Sequence, residues 1–287
     1  MLLGIKTQLK LNKSQRVLMA KHAGISRFTY NWGLATWIAL YKDGLKPDSY
    51  TLKKFFNNQV KPALPWLSEK GICGKVTEFA FANLSDAFKR LFQGLGKYPQ
   101  FKKKGKTTDK FTINASGRPI KIGGKRIKLP TIGWVKTYEN LPTTTTTKIT
   151  ISEKAGNWFI SFAWEQNTKE PNFNYELVGV DLGIKQLATL STGVVFTNPK
   201  ARRTSQKKLG KQQRQLARKV PGSNQYLKQK RRVAKTHSHT ANIRLDATHK
   251  ATNYISKNHA KVVLEDLNVS GSAIRCLVNH GNQPVHN

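Results

Sequence analysis

Carboxylates are scarce in the second half of this chain, so the few present stand out. Beyond Glu176 the sequence holds only Asp181, Asp246, Glu265 and Asp266. Asp181 ends the apolar run Val178-Gly179-Val180, and Glu265 ends Val262-Val263-Leu264. Both runs read as short strands, and an acid on a buried strand is costly unless it is paired or binds a cation. Neighbouring parallel strands would carry Asp181 and Glu265 to one carboxyl-terminal edge, where α/β sites form. Two carboxylates there suit a hard divalent cation, chiefly Mg²⁺. Two such ions, about 3.5–4 Å apart, would activate water and stabilise the leaving oxygen of a phosphodiester. Gly179 and Gly183 flank the first acid and would allow close approach of backbone or substrate. The same Gly-x-Asp-x-Gly spacing also fits a turn, and a strand-end acid also serves as a cap or an ion-pair partner. Spacing alone leaves both readings open. Asp266 reads as a cap, and Asp246 as the partner of Lys250 within one helix. His237, His239 and His249 have no Cys or acid at helical spacing to complete a metal site, and read as solvated or phosphate-facing.

Charge narrows the partner. In 287 residues there are 50 Lys+Arg against 15 Asp+Glu, a formal net charge of +35. Repulsion on that scale opposes compaction, and a polyanion relieves it. Between Lys200 and Lys235 fall 14 basic residues and no acid in 36 positions, too many for solubility alone. Backbone contacts to nucleic acid are therefore assigned to Arg202, Arg203, Lys207, Lys208, Lys211, Arg214, Arg218, Lys228, Lys230, Arg231 and Arg232. Lys102, Lys103 and Lys104 join them, beside Tyr98 and Phe101, which either stack on bases or pack. A membrane span is excluded, because no run of about 18 apolar residues occurs. The amino terminus is charged too early for a signal peptide. Cys73 and Cys276 stand far apart with no Cys-x-x-Cys, so neither a disulfide framework nor a zinc site is expected, which fits a reducing cytoplasm.

The elements that must position these groups follow from periodicity. A strand-like opening (Ile5 to Leu11) precedes a helix whose N-cap is Asn12 or Ser14, with Leu18, His22, Ile25, Phe28, Trp32 and Ala35 on one face. Around 14–33 a helix-turn-helix-like pattern, with Gly24 at the bend, competes with one continuous helix. A second helix runs through Val76, Phe79, Ala80, Leu84, Phe88, Leu91 and Leu95. After Gly94–Pro99 come short alternating runs at 111–114, 126–129, 132–136, 148–152 and 157–165, the pattern of a small barrel or sandwich. Polar residues 166–175 mark a boundary. Beyond it, strand, hairpin, two basic helical arms divided by Pro221-Gly222, a helix over 241–258 and a final strand read as α/β.

These residues carry a resemblance. Leu177 to Lys185, with Leu187 to Ser191, is similar to the first RuvC motif of the TnpB (OrfB-type transposase) family. Val262 to Gly271 is similar to the second. His239 to Lys250, Tyr98 to Lys102, Ile132-Gly133-Trp134-Val135-Lys136 and Ser26 to Gly33 support it, so the likeness runs from about residue 4 to 271. It implies an α+β multidomain chain. Residues 1–97 would be a strand plus helical recognition lobe, 98–170 a wedge-like β-barrel, and 176–271 a partial RuvC (RNase H-like) nuclease domain. The tail, 272–287, does not resemble the family. The implied activity is RNA-guided, Mg²⁺-dependent DNA cleavage, with a guide RNA from the transposon end and a double-stranded DNA target as partners. Asp181 and Glu265 match the first two catalytic acids and would ligate Mg²⁺ directly. Family members continue to a four-cysteine zinc ribbon and a third catalytic Asp. This sequence carries neither, and a frameshift near Gly271 would account for that. RNA and DNA binding with impaired cleavage is therefore expected, in a prokaryotic cytoplasm and associated with the nucleoid. The alternative is a non-catalytic nucleic-acid-binding regulator.

Overall fold

The computed structural model describes residues 2–115, 117–166 and 175–265. The cap assigned to Asp266, the motif residues from Asp266 to Gly271, Cys276 and the 272–287 tail lie outside the described residues, as does most of the 166–175 boundary. The chain divides into two units, Met1–Asn167 and Thr168–Asn287.

In the first unit, β1 (Leu2–Lys10) leads into α1 (Lys13–Lys42). Asn12 caps α1 by a reciprocal pair: its side chain accepts from the Gln15 N–H, and the Gln15 side chain accepts from the Asn12 N–H. α1 is one uninterrupted helix through 14–33, with Gly24 inside it. α2 (Ser49–Phe55), capped by Asp48, passes through a π-turn at 56–60 into the short α3 (Lys61–Ala63). α4 (Lys75–Phe92) follows and lies against α1. Gly33 makes that approach possible, since a Cβ there would sit 3.0 Å from Leu84 Cδ2 and 3.1 Å from Phe81 Cε1. Trp37 stacks on Phe88 at 4.3 Å.

Five more strands complete the unit: β2 (Lys110–Asn114), β3 (Ile120–Leu129), β4 (Gly133–Thr146), β5 (Lys148–Lys154) and β6 (Asn157–Glu165). They form one sheet with β1, in the order β2-β5-β6-β1-β4-β3. β1 thus lies mid-sheet, antiparallel to β6 along most of its length and to β4 at Leu9 and Lys10. The edges β2 and β3 do not pair among the described residues, so this is a curled, open half-barrel. Inward-facing Leu9, Ile113, Ile127, Val135, Ile151 and Ile160 share one core with Met19, Leu34, Val76 and Leu84 of the helices.

The second unit opens with β7 (Tyr175–Leu182), β8 (Gln186–Leu190) and β9 (Val195–Thr197), an antiparallel meander. Helices α5 (Ala201–Ala217) and α6 (Asn224–Asn258) then return the chain to β10 (His259–Leu264), which pairs parallel to β7. The strand order is β10-β7-β8-β9. Val178, Val180, Ala188 and Leu190 form the core, covered by Val194, Phe196 and Ile255. The second arm and the helix expected over 241–258 are fused into α6. No Gly or Pro interrupts residues 223–258, and the break from α5 falls at Pro221-Gly222, with Gly222 at φ 86°.

Candidate carboxylate pair and basic helical hairpin

Register places the two candidate acids. Along β7, Val178 and Val180 are buried in the core, so Asp181 projects from the opposite face, as Gly179 does. In the parallel pairing Val263 faces Gly179 and Leu264 faces Val180. Continued one residue past the paired strand, this register would set Glu265 level with Asp181 and on its side of the sheet. Adjacent strands lie about 4.8 Å apart, close enough for both carboxylates to serve one cation. Both residues are exposed, and neither enters an ion pair among the described residues. Across β7 on the other side, Asp181 faces Thr189. The Gly179 N–H donates to Ser191 Oγ at 3.1 Å, and its carbonyl accepts from the Ser191 N–H at 2.9 Å. A Cβ at 179 would meet only ordinary contacts with Ser191, so glycine keeps the surface beside Asp181 open rather than relieving a clash.

No group of three or more His, Cys, Asp or Glu side chains gathers among the described residues. The chemistry offered is therefore that of two carboxylates. That set fits Mg²⁺, which keeps several waters and takes one or two protein carboxylates plus phosphate oxygens. Asp246 is elsewhere: its carboxylate pairs with Lys250 at 2.8 Å along exposed α6. His237, His239 and His249 also lie along α6.

The basic stretch folds into a hairpin with a polar seam. Ser205, Leu209, Gln212 and Leu216 of α5 are half-buried and turn toward α6, where Gln229 and Thr236 are buried. Gln229 Nε2 donates to the Gln212 carbonyl and to Gln215 Oε1, both at 3.1 Å. Thr236 donates to Gln212 Oε1 at 2.8 Å, and Thr240 to Ser205 Oγ at 2.9 Å. These partners fix which faces remain outside. Arg203, Lys207, Lys211, Arg214 and Arg218 recur at four, four, three and four, one exposed stripe along α5. Arg202 and Lys208 border it, and Lys228, Lys230, Arg231 and Arg232 are exposed on α6.

The 102–104 segment divides. Lys103 and Lys104 are exposed, whereas Lys102 folds back over Tyr30, its Nζ 3.6 Å from the ring centroid. Burial lowers its ammonium to about 8, and the like charge of Lys110 adds to this. Asn31 pins the backbone beneath, donating to the Lys102 carbonyl at 2.9 Å and accepting from its N–H at 2.8 Å. These contacts join a polar cavity of about 330 Å³ lined by Arg27, Tyr30, Lys102 and Asp109, with Arg27 and Asp109 ion-paired. Periodicity gives no sign of Asn31's part, because a polar residue on a helix declares no partner 71 positions away. Tyr98 packs edge-on against Phe88 at 6.0 Å.

Comparison with known proteins gives the affiliation of the chain. A family profile described as "Probable transposase" matches residues 149–275, and one described as "Helix-turn-helix domain" matches residues 1–46. "Putative RNA-guided DNA endonuclease InsQ" of Escherichia coli (strain K12) is 36% identical over 269 residues, covering 92% of this chain and 66% of that protein. "Putative RNA-guided DNA endonuclease" of Streptomyces pristinaespiralis is 34% identical over 195 residues, covering 66% of this chain and 48% of that protein. The chain thus spans less than two thirds of the length of these relatives. Among solved structures, "Cryo-EM structure of the Cas12f1-sgRNA-target DNA complex" covers 99% of this chain and 79% of that one. Its identity is 12% and its TM-score 0.34, too distant to carry a fold assignment. The two profiles and the long match at 36% identity settle the affiliation: this chain belongs to the OrfB (TnpB-type) transposase family.

Proposed function

We propose that this protein binds guide RNA and double-stranded DNA through its basic surfaces, and that Asp181 and Glu265 form a divalent-cation site for phosphodiester hydrolysis. The observation that carries the reading is the parallel β7–β10 register, in which Leu264 faces Val180; continued by one residue, it would set Glu265 beside Asp181, 84 positions away in sequence. The strand order β10-β7-β8-β9, with β10 parallel to β7 and the rest antiparallel, supports the RNase H-like reading suggested by the RuvC-motif resemblance. On this reading residues 1–97 and 98–170 serve as recognition lobe and wedge, and 176–271 as the nuclease region.

When bound, Mg²⁺ would supply electrostatic stabilisation of a phosphodiester and a more acidic water. Asp181 and Glu265 would hold it, and the formal charge of +35 makes a purely diffuse attraction of cations to this chain unfavourable. Among the described residues these two acids would give an Mg²⁺ ion at most two protein ligands, with water and phosphate oxygens supplying the rest, so binding is taken as the stronger activity. The α5 stripe neutralises phosphates without reading bases, consistent with sequence recognition delegated to a guide. Binding of duplex DNA would keep the protein with the nucleoid. Among the described residues, no helix is long and apolar enough to cross a membrane.

The test uses the whole chain with duplex DNA and with RNA transcribed from its own transposon end. Tight binding to both, unchanged by Asp181→Ala or Glu265→Ala, is expected, with cleavage weak in Mg²⁺ and abolished by either substitution. Absence of RNA binding would sink the guide reading. Efficient cleavage would overturn the impairment, and residual cleavage insensitive to both substitutions would overturn the site.

A further inference from the structure

The outer face of the half-barrel, in the first unit, carries a further basic surface. In the ladder joining β1, β4 and β3, Lys10 faces Lys136 and Lys136 faces Arg126. All three are exposed, while their neighbours Leu9, Val135 and Ile127 point into the core. Three like charges in one cross-strand row destabilise a sheet, and opposite charges or neutral pairs would serve stability better. The next rung sets Lys128 against Trp134. The Arg126 guanidinium lies 4.6 Å from the Trp134 ring centroid, yet that indole remains 44% exposed. One strand further, on β6, Phe159 has Lys6 Nζ at 5.6 Å from its centroid. None of Lys10, Arg126, Lys128 or Lys136 enters an ion pair among the described residues.

A large aromatic held open on the sheet's outer face, with its guanidinium partner and unneutralised lysines around it, has the chemistry of a stacking platform. Bases stack on exposed indoles only where they are not already paired within a duplex, and the surrounding cations follow the phosphate track. We infer that the β1–β4–β3 face, centred on Trp134 with Lys10, Arg126, Lys128 and Lys136, binds single-stranded nucleic acid by stacking an unpaired base on Trp134. The sheet's core lies on its other side, and Gln15 Nε2 of α1 donates to the Trp134 carbonyl at 3.1 Å, holding that backbone in place while the indole stays open.

The experiment measures binding of the full chain to labelled oligouridine, oligothymidine and a duplex of equal length. Trp134→Ala should weaken single-strand binding roughly tenfold, Trp134→Phe much less, and duplex binding should hold. Lys136→Gln should lower the single-strand salt slope by about 0.7. A loss confined to oligouridine names RNA as the occupant, one confined to oligothymidine names single-stranded DNA, and a loss on both assigns stacking common to the two. Unchanged single-strand affinity in Trp134→Ala, or an equal loss on duplex, would overturn the inference. Should Trp134→Ala melt differently from the parent, the Lys136→Gln salt slope decides, an unchanged slope counting against it. Failure here leaves the α5-dependent duplex binding untouched, so the two readings fall separately.

Discussion

Replacing Lys207, Lys211 and Arg214 together by Gln removes the centre of the α5 stripe while leaving the hairpin seam intact. Glutamine is nearly as good a helix former as lysine or arginine, and the three side chains are exposed and outside every described ion pair. Stability should therefore change little. The stripe from Arg203 to Arg218 spans about 22 Å at the helical rise, enough to follow several phosphates of a duplex strand. If each removed cation neutralises one phosphate, the salt slope of log K for duplex DNA falls by up to about 2.7. Between about 50 and 200 mM salt the parent should then lose roughly 40-fold more affinity than the variant. Fluorescence anisotropy of a labelled duplex across that salt range reads the slope directly. A variant with the parent's melting curve and the parent's slope would refute the assignment of phosphate contacts to this face.

Two further expectations concern the scaffold. His22 is buried, donates through Nδ1 to the Leu18 carbonyl at 2.7 Å and accepts the Cys73 N–H on Nε2 at 3.0 Å, while stacking on Phe111. Burial lowers its pKa below the ordinary 6.5, so its contribution is complete above the unfolded value and declines as pH falls from there toward the lowered native value. Thermal melts should show a drop in stability below about pH 6.5 that His22→Ala lacks, and that variant should cost about 1–3 kcal/mol by orphaning the Cys73 N–H. Gly33→Ala should cost about 1–3 kcal/mol through overpacking against Leu84 and Phe81, read by chemical denaturation. A neutral result would show that α1 and α4 can separate without loss.

Much of the second unit's layout was legible because its elements are short and sharply bounded. Apolar runs flank Asp181 and Glu265, and Pro221-Gly222 punctuates the basic stretch at the turn between α5 and α6. The parallel pairing followed from the strand–helix–strand order. A cap at Asn12 or Ser14 was legible for the same local reason, and the structure gives it to Asn12, whose side chain acts three residues along. What escaped is non-local. Nothing in Leu2–Lys10 announces partners near 136 and 162, so its place between β6 and β4 is written in the three-dimensional closure of the sheet. Lys102 looked like its neighbours in a run of lysines, and only Tyr30 and Asn31, brought up from α1, distinguish it. Helix propensity likewise does not reveal that Gln229 and Thr236 are spent on the seam while Lys228 and Arg231 stay outside.

The central claim is that two strand ends make one cation site. Loading the full chain with Fe²⁺ in place of Mg²⁺ and generating hydroxyl radicals with ascorbate and peroxide cuts the backbone beside bound metal. The account predicts cuts near both Asp181 and Glu265, suppressed by excess Mg²⁺ and lost at both places in Asp181→Asn and in Glu265→Gln. Cuts at one acid only, or a pattern indifferent to the two substitutions, would contradict it.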